Sequence, residues 1–167
     1  MTCLVRHCAR ATASLALAVV LALAAAPAGA DEEHHVGTYY PQPQTVETYE
    51  ARATTLPDAS RSRRLAFVTV LTNQMLSNPY PPQFAIFAKG TNAEKLIIVG
   101  LYDNAYNTIY RARALFAMLT AVARMTKLFQ KYKVEELFTF FDLCKLLGFE
   151  QITITDGRDF AHQVIIK

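Results

Sequence analysis

From Leu65 to Leu76 the apolar side chains Leu65, Val68, Leu71 and Met75 recur at helical spacing. Asp58 or Ser60 stands ready to cap the first turn, and Pro79 stops the last, so the segment is predicted as a helix although Phe67 to Thr72 is rich in β-branched residues. Three prolines make Asn78 to Pro82 a rigid connector that no sheet ladder accepts. Phe84 to Ala88 and Lys95 to Tyr102 then read as strands, joined across Lys89 to Glu94 by a turn containing Gly90 and Asn92. Leu96 to Val99 is apolar without alternation, which predicts a strand central in its sheet or covered on both faces.

A long helix is predicted from Asn107 or Thr108 to about Phe129. It has one stripe of Ile109, Ala112, Phe116, Leu119 and Ala123, and Leu115, Met118, Val122 and Met125 beside it. Its polar face is narrow, so it is expected to be the buried spine. A second helix is expected over Val134 to Leu147, with Glu135 and Glu136 in its first turn and Gly148 as the residue that ends it. Gln151 to Thr155 and Phe160 to Lys167 alternate on either side of Asp156-Gly157 and predict a second hairpin. Thr45 to Ala53 alternates weakly and reads as an edge strand. Together these elements predict an α+β domain over residues 45–167, with a mainly antiparallel sheet of four to five strands and about three helices mainly on one face.

The first thirty residues change the picture of where the protein works. Arg6 and Arg10, an apolar run from Leu15, and Ala28-Gly29-Ala30 have the form of a cleavable signal peptide, which predicts a periplasmic or secreted protein without a stable membrane span after cleavage. Asp31 to Gln44 is polar and proline-bearing and is expected to be a flexible arm. Loss of the leader removes Cys3, Cys8 and two basic residues, leaving Cys144 as the lone thiol and the charge nearly balanced. No disulfide is then possible, and no basic face of the kind that grips nucleic acid is expected.

Candidate chemistry is thin. Asp156, Asp159 and His162 fall within seven residues and are the candidate catalytic set, since two carboxylates and an imidazole suit acid and base work. The same residues also read as a solvated turn followed by one strand position. Arg61, Arg63, Arg64 and Arg158 are candidates for an anionic ligand, and His34 and His35 for a weakly held metal. Cys144 lies on an apolar helix stripe and is expected to be a buried, inert thiol. Tyr39, Tyr40 and Tyr80, with their prolines, form extended aromatic segments that either meet a partner or lie along the domain's own surface. No glycine-rich phosphate loop, Cys-x-x-Cys, His-Glu-x-x-His or Gly-x-Ser-x-Gly occurs, and no cofactor is expected.

Tyr39-Tyr40-Pro41, Leu56 to Ser60, Arg64 to Val68, Pro81 to Gly90, Arg111 to Leu115, Phe138 to Asp142 and Thr155 to His162 resemble a family of short exported bacterial proteins. That family carries the label molybdopterin-guanine dinucleotide biosynthesis protein A. The label implies a guanylyltransferase joining GMP to molybdopterin. Enzymes of that type open with Leu-Ala-Gly-Gly followed by Arg-Met-Gly, whereas the similar stretch here, Leu21-Ala-Leu-Ala, lies in the leader. The resemblance therefore transfers no catalytic residue. The expected function is a non-enzymatic binding or accessory role towards an envelope protein or small ligand. The alternatives are a small hydrolase or isomerase using Asp156, Asp159 and His162, and then the guanylyltransferase.

Overall fold

The computed structural model describes residues 41–167, so the leader, the arm up to residue 40, and with them His34, His35, Tyr39 and Tyr40, lie outside the described residues. Among the described residues the elements run β1 (Thr45–Tyr49), α1 (Arg61–Leu76), β2 (Phe84–Lys89), β3 (Lys95–Gly100), α2 (Ile109–Arg124), α3 (Lys127–Tyr132), α4 (Phe140–Leu146), β4 (Gln151–Thr155) and β5 (Ala161–Ile166). All five strands join one sheet in the order β1-β5-β4-β3-β2, with β1 at an edge and β3 inside. This is an α+β fold.

The sheet is mixed, which corrects the expectation of a mainly antiparallel one. Hairpins β2/β3 and β4/β5 are antiparallel, as their turns dictate, but β3 pairs with β4 and β1 with β5 in parallel. The three helices between β3 and β4 form a crossover that returns the chain to run alongside β3 in the same direction. The core lies on one face of the sheet, where Phe84, Ile86, Leu96, Ile98, Ile152, Ile154, Val164 and Ile166 pack against residues of α1, α2, α3 and α4. One cross-strand row passes from Ile86 through Ile98 and Ile154 to His162 and Thr45. Along this row the sheet is apolar at β2–β4 and polar where β5 meets β1.

Capping side chains set the helix limits. Ser60 accepts from the Arg63 amide at 3.3 Å and starts α1, which fits the predicted helix. Thr108 does the same for α2 through Arg111 at 3.3 Å. The single long helix expected to reach Phe129 is interrupted, because the Thr126 hydroxyl donates to the Ala123 carbonyl at 2.6 Å and accepts from the Phe129 amide at 3.4 Å, starting α3. Nor is α2 a spine buried on all sides: Ala112, Leu115, Phe116, Leu119 and Ala123 are buried, while Met118, Val122 and Met125 are exposed.

The last helix begins at Phe140 rather than Val134. A carboxylate three residues past Thr139 decides this: the Thr139 amide donates to Asp142 Oδ2 at 2.8 Å. Residues 134–138 form a preceding turn, closed by the Phe138 amide on the Val134 carbonyl at 2.8 Å, so Glu135 and Glu136 stand ahead of the helix. Gly148, with φ of +82°, ends α4 as expected. No helix among the described residues is long and apolar enough to cross a membrane.

Candidate functional site

Where β3 leaves the sheet, the chain turns back on itself so closely that a Cβ on Gly100 would stand 3.0 Å from the Ala105 carbonyl oxygen, a contact tight enough to favour glycine. The following loop holds Asn104 (φ 60°) and Tyr106 (φ 54°) in the left-handed region, which asparagine tolerates and which is uncommon for tyrosine. Arg111, in the first turn of α2, braces the loop by donating to the Asn104 carbonyl and, at 2.9 Å, to Asn107 Oδ1. The Tyr106 ring meets Phe84 edge-on with centroids 6.3 Å apart, and burial raises its phenol pKa. The loop is anchored at both ends.

Against this loop the rigid connector carries Tyr80 and Pro81, and the Leu101 amide donates to the Gln83 carbonyl at 3.0 Å. Between connector, loop and α2 lies an open cleft of about 790 Å³, lined among others by Tyr80, Tyr102, Gln83, Asp103, Arg111 and Met118. Tyr80 is 77 % exposed and Tyr102 49 %, and neither phenol has a partner within the described residues. Tyr102, Asp103 and Asn104 also line a polar hollow of about 290 Å³ with Gln44, Asp156 and Arg158. Both recesses lie at the carboxyl ends of the parallel pair β3 and β4, where open sheets of parallel strands commonly take ligands.

The predicted catalytic set is divided by the fold. Asp156 Oδ1 accepts from the amides of Arg158, Asp159 and Phe160 at 2.9, 3.1 and 3.0 Å, so this carboxylate shapes the β4–β5 turn. The Asp159 carbonyl accepts from the Gln44 amide side chain. His162 is 0 % exposed on the helix-covered face, and no hydrogen bond or ion pair joins it to either aspartate. Its Nδ1 lies 2.8 Å from the Thr45 hydroxyl, its ring is 6.2 Å from that of Phe116, and its Nε2 has no hydrogen-bond partner within the described residues. Glu47 Oε2 is 3.8 Å from Nε2, and Glu47 is paired with Arg113. Burial lowers the imidazole pKa, with Glu47 opposing that shift and Arg113 adding to it. Glu47 and Arg113 line a small recess of about 330 Å³ with Tyr49, Thr120 and Thr139.

The basic candidates part in the same way. Arg64 is buried and fully engaged by backbone: its Nε and Nη2 donate to the Asn92 carbonyl at 2.9 and 2.8 Å, and Nη1 donates to the carbonyls of Leu147 and Gly148 at 3.1 and 3.2 Å. Arg63 pairs with Asp58, Arg158 pairs with Asp103 at 2.6 Å, and Arg61 is exposed. They converge on no common point. Cys144 is fully buried and its thiol pKa is pushed well up by desolvation. Among the described residues no three His, Cys, Asp or Glu side chains cluster as metal ligands.

Of the aromatic segments singled out in the sequence, Tyr80 reaches the cleft, but Tyr102, Asn104 and Tyr106 carried no motif. The signal for them was the polar, tyrosine-flanked run Tyr102 to Asn107 between a strand and a helix cap. Compared with known protein families, curated proteins and solved structures, the chain gives no match.

Proposed function

We propose that this is an exported, periplasmic or secreted, non-enzymatic binding or accessory protein whose recognition site is the cleft at the carboxyl end of β3. One observation carries the reading: two exposed tyrosines whose hydroxyls have no partner within the described residues, Tyr80 on the proline connector and Tyr102 on the loop that Arg111 braces, line the same cleft. Exposed tyrosine, methionine and arginine are the residue types that recognition surfaces favour. A rigid loop also lowers the entropy lost on binding.

The methionines supply the test. Met118 lines the cleft, Met75 packs against the core and Met125 is exposed just past the end of α2. With ¹³C-methyl methionine in the full chain, fractions of an envelope extract are expected to shift the Met118 signal and leave Met75 and Met125 in place. No fraction shifting Met118, or all three moving together, contradicts the reading.

A small hydrolase or isomerase remains the second reading. Its support is the unpartnered Nε2 of His162 facing Glu47, so that Glu47, rather than Asp156 or Asp159, would be the carboxylate partner. Turnover of activated esters lost in both His162→Gln and Glu47→Gln would favour it; equal rates in both variants and the wild type remove it.

A further inference from the structure

We propose that the cleft takes a neutral carbohydrate, a short chain of pyranose rings; this rests on the cleft being the binding site and names its ligand class. A pyranose presents an apolar C–H face and an edge of hydroxyls that both donate and accept. The cleft offers the complement of each. Tyr80, Tyr102 and Tyr106 give aromatic surface, extended by Pro81 and Met118. Between them, Gln83, Asp103 and Asn104 bring amide and carboxylate groups suited to hydroxyl edges.

These groups have capacity to spare. The Gln83 side chain and the Tyr80 and Tyr102 hydroxyls form no hydrogen bond within the described residues, and Asn104 uses its Oδ1 on Asn107 Nδ2 at 3.1 Å, leaving its own amide hydrogens free. Asp103 is 75 % exposed in a pair with Arg158, a contact that is screened by water and cheap to share.

Charge narrows the class further. The walls carry one cation and one anion, Arg111 and Asp103, and the Arg111 guanidinium already holds the loop. A phosphate or carboxylate would find no uncommitted cation there and would face Asp103, so a phosphorylated ligand is disfavoured. An aliphatic tail would cover the exposed amide and carboxylate groups of Gln83, Asn104 and Asp103 without offering them partners. A peptide adding itself as a strand would need an exposed sheet edge, and the cleft lies at the strand ends instead. The volume of about 790 Å³ falls in the range that holds ligands larger than one ring.

The test titrates the full chain with maltotriose, cellotriose and triacetylchitotriose, each to about 10 mM, following heat and the Met118 methyl signal, with a proline-rich peptide as comparison. Binding of at least one trisaccharide is expected, weakened at least tenfold, about 1.4 kcal/mol, by Tyr80→Ala and by Tyr102→Ala. Tyr102→Phe keeps the ring and is expected to stay within about threefold of wild type. Three silent trisaccharides, or binding that survives both alanine variants, overturns the proposal. If the peptide alone shifts Met118, the carbohydrate assignment falls while the cleft stands as the site. If none of the four ligands shifts Met118 and the envelope fractions do not either, both readings fall together.

Discussion

At the Asp142 corner, four donors converge on one fully buried carboxylate: the Arg52 amide at 2.7 Å, the Thr139 amide at 2.8 Å, the Thr139 hydroxyl at 3.0 Å and the Tyr49 hydroxyl at 3.1 Å. At the cleft, 20 or more residues away along the chain in either direction, the phenols of Tyr80 and Tyr102 and the amide of Gln83 face solvent with no partner in the described chain. Both regions are polar and aromatic in composition, and both fix a loop against a helix start. They differ in whether their hydrogen-bonding capacity is used internally. A buried polar group must be satisfied or it destabilises the fold, so the Asp142 corner is explained by stability alone. Exposed aromatic surface beside an anchored loop contributes little to stability, and under the proposed function it serves recognition.

The comparison breaks first at Asp142. Asp142→Ala leaves the Arg52 and Thr139 amides and the Tyr49 hydroxyl unpaired, detaching the chain after β1 from the start of α4, and is expected to remove about 4 kcal/mol from the urea unfolding free energy. Arg64→Leu should remove about 2 kcal/mol by the same assay, because the carbonyls of Asn92, Leu147 and Gly148 lose their shared donor while the aliphatic stem is kept.

A smaller effect is expected from His162. Burial depresses its folded-state pKa below the ordinary 6.5, so the unfolded chain binds the proton more readily and stability falls as the pH drops below that value. Unfolding free energies at stepped pH are expected to show wild type losing ground to His162→Gln below pH 6.5, and no divergence above it. A wild type that gains on the variant as the medium turns acid would mean that Glu47, not burial, governs the imidazole. Smallest of all, Tyr80→Ala and Tyr102→Ala should each change stability by no more than about 0.5 kcal/mol, since Tyr80 is largely and Tyr102 half exposed.

Much of the fold is legible in the sequence where the information is local. The two hairpins, the helix begun by Ser60 and the stop at Gly148 each rest on turn chemistry or period within one short window. The parallel pairings are not local. Nothing in Lys95 to Gly100 states that Gln151 to Thr155, some fifty residues on, will lie beside it in the same direction. Threonines account for the errors in the helices: Thr126 both ends one and starts the next, and Thr139 with Asp142 sets a start that apolar spacing had placed at Val134. The candidate site was the least legible part. Asp156 and His162 are close in sequence, yet one holds a turn and the other is buried behind helix α2, while the cleft is assembled from a proline connector and a loop that share no motif.

The measurement that bears most directly on the central claim is made on one protein, the Tyr80→Ala/Tyr102→Ala double variant of the full chain. Its urea midpoint and its Met118 methyl response to envelope fractions or trisaccharide are recorded side by side. The account predicts unfolding within about 1 kcal/mol of wild type together with loss of the Met118 response. A variant that unfolds far earlier would assign the two tyrosines to the structure, and one that keeps the response would place recognition elsewhere; either result contradicts the claim that the cleft is the recognition site.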